Sequence, residues 1–168
     1  MNLTTLALIV LAPLLVWRVY RRVNGVMASQ RSILSRHYTG LFVFTAMVLV
    51  AVSEVATRGL HLASLLLGTS AGICLGIYGL RHTRFDNATV FYTPPKRTGL
   101  LIAMLFFARV MQIGIELYLN QGSGKPNPEF TDSLVTMGAI GLLGGYFGTF
   151  SAGLIRWRRS LTRAVLNS

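Results

Sequence analysis

Residues 60–80 read LHLASLLLGTSAGICLGIYGL, a run of 21 residues without a charged side chain. A bilayer core is roughly 30 Å thick and takes about 20 mostly apolar residues per helix, so the run is long enough to cross it. Gly68, Gly72 and Gly76 recur every fourth residue within it and form one bare stripe on a helix face. Small residues at that spacing let two helix backbones approach closely where lipid supplies no hydrophobic drive for association. The stretch sets both the class of the protein and a means of packing it.

Working outward, four more stretches qualify or nearly qualify as spans: residues 3–19, 38–56, 99–119 and 133–155. With residues 60–80 they use up nearly all of the 168, so the expectation is a single transmembrane domain over 1–168 with no separate soluble unit. Composition agrees. The chain is 52% hydrophobic and 12% charged, with a mean hydropathy of +0.56. Soluble domains carry about a quarter charged residues, which excludes an ordinary soluble globule. High hydrophobicity likewise excludes intrinsic disorder. The expected fold is an all-α integral membrane bundle of five transmembrane helices.

The basic residues orient it. Net charge is +11, from 16 Lys and Arg against 5 Asp and Glu. Thirteen of the 16 follow the first span (Arg18, Arg21, Arg22, Arg31, Arg36), the third (Arg81, Arg84, Lys96, Arg97) or the fifth (Arg156, Arg158, Arg159, Arg163). Arg58 and Lys125 fall on the other side, and Arg109 lies inside the fourth span. Basic loops stay in the cytoplasm, which puts the N-terminus outside and the C-terminus inside. The first span has no basic residue before it and an Arg cluster after it, as a retained span has and a cleaved signal peptide does not. Trp17, Tyr20, Tyr38, Tyr78, Tyr92, Tyr118 and Trp157 fall near span ends, where interfacial aromatics belong. The basic charge is split over three segments beside span ends, so it reads as topology and contact with anionic lipid headgroups, and no nucleic acid is expected.

Between the spans, Arg18 to His37 is a basic link read as a short helix on the membrane surface. Residues 88–93, Ala-Thr-Val-Phe-Tyr-Thr, have strand-like density of β-branched and aromatic residues and are ended by Pro94-Pro95, which predicts an extended or hairpin-like piece. Gln121 to Glu129 is a Gly/Pro/Asn loop. Neither Asn2, at the extreme terminus, nor Asn87, on the cytoplasmic side, is a credible glycosylation site. The fifth span carries two stripes of small residues, Gly141, Gly145, Thr149 and Gly153, and Gly144, Gly148 and Ala152. Packing of the third span on the fifth, or pairing of two copies, would use such stripes; packing within the chain is the preferred reading.

Polar groups inside the membrane are costly and commonly face a bundle interior or wet cavity. In the fourth span Arg109, Gln112 and Glu116 are spaced by three and four and stack on one face. Glu54 of the second span lies at the depth of Glu116, and Arg58 and His61 follow it. Together these six residues form an expected outer-half polar cluster. It serves either as a cavity for a headgroup, ion or small polar solute, or as an internal salt-bridge network. His37 and His82 share the cytoplasmic side, so a bis-His haem or metal site is conceivable, but interfacial histidines are the commoner case and neither cofactor nor metal is expected. One cysteine, Cys74, cannot cycle through a disulfide within the chain. No nucleophile triad, carboxylate pair, zinc spacing or phosphate-binding glycine loop can be read, so no catalytic residue is assigned.

One further likeness rests on Gly72-Ile-Cys-Leu-Gly76-Ile-Tyr-Gly79, on Thr83-Arg84-Phe85, on Phe91-Tyr92, and on the apolar run Leu100–Ala108 that ends in Arg109. Over about residues 68–113 the chain resembles the CcdC-like family of small multi-pass bacterial membrane proteins. In that family a glycine-bearing span leads into a short T-[KR]-F segment, an aromatic strand-like piece and a span containing an arginine. The resemblance singles out Thr83, Arg84, Tyr92 and Arg109. It implies a bacterial inner-membrane location and, by the family's name, an association with cytochrome c maturation; the single cysteine supplies no redox mechanism. The expected function is a non-enzymatic membrane component that handles a small solute or lipid, or serves as an accessory subunit, through the outer cluster. The alternatives are a structural protein that docks a membrane partner or a second copy by its glycine stripes, and a haem- or cytochrome c maturation-associated factor.

Overall fold

In the computed structural model, the structure describes residues 17, 18, 21, 30–86, 90–120 and 132–166. The expected first span over residues 3–19 lies outside them but for residues 17 and 18, as do the Gly/Pro/Asn loop, half of the basic link, Asn2 and Asn87. Four helices follow one another: α1 (Leu34–Val55), α2 (Gly59–Arg81), α3 (Lys96–Asn120) and α4 (Leu134–Leu166). Each is long and apolar enough to cross a membrane. Three short strands, β1 (Gln30–Arg31), β2 (Arg84–Asp86) and β3 (Phe91–Thr93), lie at the end of the bundle where most arginines gather.

The helices are inverted with respect to a soluble protein. Large apolar side chains point outward: Phe42 is 75% exposed, Leu67 73% and Leu101 69%. Such faces are stable only against lipid. The interior is reached through α4, where 44% of the most apolar window is buried, against 11–17% in the other three helices. Although α1 and α2 are joined only by Ala56, Thr57 and Arg58, each packs far more on α4 than on the other. Two apolar clusters follow from that arrangement. Ala51 and Val55 of α1 meet Leu65 and Met137. Deeper in the bundle, Ile102 of α3 meets Leu143 and Tyr146, with Phe44, Met47 and Phe147 around them.

The α2–α4 contact is made by backbone. A Cβ on Gly72 would stand 2.8 Å from the Tyr146 nitrogen, and one on Gly68 would stand 2.9 Å from the Gly138 carbonyl carbon. From the other side, a Cβ on Gly141 would stand 2.8 Å from the Thr69 nitrogen. Gly145 is pressed on the Thr69 carbonyl oxygen and Gly153 on the Leu80 side chain. The second stripe behaves differently. Gly144 faces α1, under Val48, Met47 and the Phe44 carbonyl, whereas a Cβ on Gly148 would meet nothing within 4 Å.

Two expectations about the links are revised. Of the extended or hairpin-like piece expected over residues 88–93, β3 covers 91–93 and pairs with β2, with Arg84 opposite Thr93 and Phe85 opposite Tyr92, while residues 88 and 89 lie outside the described residues. A third strand joins β2 and β3, for Gln30 pairs with Tyr92 and Arg31 with Phe91, giving a sheet of order β1-β3-β2. A two-residue strand leaves no pattern in the sequence, so this part of the basic link could not be read as extended, and the class is helical with a small sheet. Also, α4 does not end at Ile155 but runs to Leu166. No Gly or Pro interrupts residues 156–166, and Arg, Leu and Ala are good helix formers, so the basic tail continues the span as helix.

Capping explains how the chain leaves the bundle. The Thr83 hydroxyl donates to the Gly79 carbonyl at 2.8 Å, and the His82 amide reaches the Tyr78 and Gly79 carbonyls, so late carbonyls of α2 are satisfied. Val90 turns between the strands at φ 59°, an uncommon place for a β-branched residue, and its carbonyl accepts from the Ser32 amide at 3.0 Å.

The glycine contacts lead to opposite outcomes for the same change. Gly72→Ala should lower stability by about 1–3 kcal/mol, since the added methyl has only backbone to displace. Gly148→Ala should raise it by up to about 1 kcal/mol through helix propensity alone. Unfolding of the two variants in mixed detergent micelles checks both signs.

Candidate functional site

At the end of the bundle opposite the sheet, the polar groups converge on the start of α4. The first helical bond there runs from the Met137 amide to the Ser133 carbonyl, 3.1 Å. Around this helix start, side chains from the other helices come in. The Arg58 guanidinium meets the Asp132 carboxylate at 2.5 Å, with side chains 46% and 58% exposed. His61 Nε2 lies 3.2 Å from the Asp132 carbonyl oxygen, and the Ser64 hydroxyl donates to the Leu134 carbonyl at 2.7 Å. From α3, Arg109 donates through Nε to Thr136 Oγ1 at 2.9 Å and through Nη2 to Ser133 Oγ at 2.8 Å.

This geometry rearranges the expected cluster. Arg58 and His61 do come together, on Asp132. Arg109 does not run along its own helix toward Glu116 but turns across to α4, where two hydroxyls are available. Gln112 and Glu116 pair with each other at 3.0 Å and line a separate shallow pocket on α3 with Met104, Phe107 and Met111. Glu54 is exposed at the end of α1, with no bond to the other five residues. The sequence reading passed over Asp132, Ser133 and Thr136, the three groups that receive the arginines and the histidine. A signal was present: Asp-Ser immediately before an apolar run is a helix start, where side-chain oxygens gather.

The electrostatics of Arg109 set it apart. Thr136 is fully buried and Arg109 partly so. Its two bonded partners are neutral hydroxyls, and the Asp132 carboxylate next to them is taken by Arg58. Among the described residues, no carboxylate pairs with Arg109. The guanidinium moreover faces the N-terminal end of α4, the positive end of the helix dipole. The partners of Arg109 thus orient its positive charge without neutralising it, and the nearest carboxylate in sequence to them, Asp132, is bonded to Arg58.

The opposite end has its own polar centre. Ser32 and His37, both buried, share a hydrogen bond of 2.9 Å between Oγ and Nε2. The His37 ring sits edge-on to Tyr92 of β3, with centroids 5.6 Å apart, and Phe85 of β2 packs on Trp157 of α4 at 4.7 Å. Burial raises the Tyr92 phenol above its ordinary range, with nearby Arg36 pulling weakly the other way. These contacts clamp the sheet to α1 and α4. Thr83 and Tyr92 thus have structural work, one capping α2 and the other at the centre of the sheet, while Arg84 is exposed on β2. His82 turns its Nδ1 to the Tyr78 carbonyl at 2.9 Å, and Cys74 lies exposed on the outer face of α2. Among the described residues, no three His, Cys, Asp or Glu side chains group as metal ligands would.

Comparison with known proteins adds one finding. The family model described as CcdC protein matches residues 1–164. No curated protein and no solved structure matches the chain.

The contacts of Arg109 and Arg58 differ in burial, and so in what their loss should cost. Thr136→Val removes a buried partner of Arg109 and should destabilise the protein by about 1–3 kcal/mol. Asp132→Asn opens a largely exposed pair and should change stability by less than about 1 kcal/mol. Denaturation of the two variants side by side in the same detergent reads the difference.

Proposed function

Since the chain belongs to the CcdC protein family, we propose that it is a non-enzymatic multi-pass membrane protein that binds the anionic group of a small solute or lipid at Arg109. The carrying observation is the intramembrane guanidinium held by Ser133 and Thr136 hydroxyls and paired with no carboxylate among the described residues. An arginine kept only for packing would be neutralised, because an unpaired charge within a span is costly. Here the hydroxyls orient the cation without cancelling it.

In this reading the chain sits in a bacterial inner membrane with the sheet and the basic end of α4 on the cytoplasmic side. The support is that thirteen of the 16 basic residues fall, in the sequence, in the three segments expected on that side. The α4 start, with Asp132, Ser133 and Arg109, then opens toward the outside, and Arg58 and His61 form its rim. Docking of a second copy through the glycine stripe is less favoured, because Gly68, Gly72 and Gly76 are already covered by α4.

The test is a melting experiment in detergent with sn-glycerol 3-phosphate as the headgroup probe and inorganic phosphate beside it. Either probe should raise the melting temperature of the unaltered protein, and Arg109→Gln should abolish the rise while remaining folded. A rise of equal size in Arg109→Gln, or none in the unaltered protein, would sink the proposal.

A further inference from the structure

We propose that the sheet-side end of α4 holds one anionic glycerophospholipid, its phosphate among Arg156, Arg159 and Arg163 and an acyl chain in the groove between α1 and α4. The site is distinct from Arg109 and lies at the other end of the bundle.

The three arginines are three and four residues apart, so they share one face of the helical extension that the sequence alone did not reveal. They line a cavity of about 640 Å³ together with Ser160 and Tyr38. One wall is fixed in advance. Arg159 Nη2 donates to the Tyr38 hydroxyl at 2.6 Å, and the guanidinium lies over that ring with its carbon 5.8 Å from the centroid. Arg156 and Arg163 make no hydrogen bond or ion pair among the described residues, and no carboxylate is bonded to any of the three. Like charges at such spacings repel, so the face lacks a counter-charge. Guanidinium groups present paired donors that match phosphate oxygens, and Ser160 adds a hydroxyl.

What selects a lipid over a free anion is the continuation of this cavity. Leu41 and Ala152 line it and also line a second, apolar cavity of about 290 Å³, where they are joined by Phe44, Val48, Gly144 and Gly148. This groove lies within the apolar span and runs from Ala152 back to Gly144, about 12 Å along the helix axis. It stays open because Gly148 and Ala152 contribute almost no side chain, and a Cβ on Gly148 meets nothing within 4 Å. A polar cavity at the span's edge leading into an apolar slot within it has the amphipathic outline of a phospholipid. The excess of unpaired arginine selects an anionic headgroup over a zwitterionic one.

The experiment is native mass spectrometry of the full chain, delipidated in detergent and offered phosphatidylglycerol or phosphatidylcholine with the same acyl chains, with inorganic phosphate as a third probe. The expected result is one retained phosphatidylglycerol per chain and at least tenfold weaker retention of phosphatidylcholine. The double variant Arg156→Gln/Arg163→Gln should lose that preference. Gly148→Leu, which fills the groove from a position with room for it, should weaken phosphatidylglycerol retention at least tenfold with the melting temperature kept. Equal retention of the two lipids would overturn the proposal. So would phosphatidylglycerol binding unaffected by Gly148→Leu, or displaced by inorganic phosphate, since the cavity would then hold only a free anion. Crosslinking that places residues 1–29 in the groove of the unaltered protein would overturn it as well.

Discussion

The structure depends on the direct contact of two helix backbones, α2 and α4. In lipid no hydrophobic force pulls helices together, because the tails are as apolar as leucine, so association rests on close packing. Gly68 and Gly72 on one helix and Gly138, Gly141 and Gly145 on the other remove the side chains that would hold the axes apart. With α2 seated, α4 becomes the most buried element, and α1 and α3 pack on it from other sides. Tyr146 shows how little slack remains: its hydroxyl lies 3.1 Å from where a Cβ on Gly79 would stand, and its ring packs edge-on against Phe147 at 5.0 Å.

The central position of α4 also distributes the chemistry. Its start collects Arg58, His61 and Arg109 from three segments, while its far end carries Arg156, Arg159 and Arg163 beside the start of α1. A single helix thus presents a cationic centre near each end, separated by the tightly packed glycine region. The two ends differ in kind. Arg109 is partly buried and oriented by two hydroxyls, the setting of the anion site proposed above. The arginines of the tail are exposed and flank an apolar slot, the setting of the proposed lipid site.

The small sheet links these parts to the rest of the chain. By pairing Gln30 and Arg31 with β3, it ties the segment before α1 to the connection between α2 and α3. The Ser32–His37 bond and the Tyr92 ring then fix it against α1, and Phe85 fixes it against α4. The family-pattern residues Thr83 and Tyr92 lie in this region, which accounts for them as part of the architecture of the chain.

Much of this was determined by the sequence itself. Uninterrupted apolar length dictates membrane helices, because a backbone in lipid must bond to itself, and four-residue glycine spacing dictates a bare helix face. The aromatic and β-branched run before Pro94-Pro95 dictates an extended segment. Other features required the tertiary structure. Which helix faces the glycine stripe, whether Arg109 turns to Glu116 or to Ser133 and Thr136, and where Gln30 finds a strand partner all depend on groups distant in the chain. Periodicity reports only neighbours within a few turns of one element. Arg109 therefore announced itself as an intramembrane charge, but its partners, 24 and 27 residues further on, were decided by the way α4 folds back beside α3.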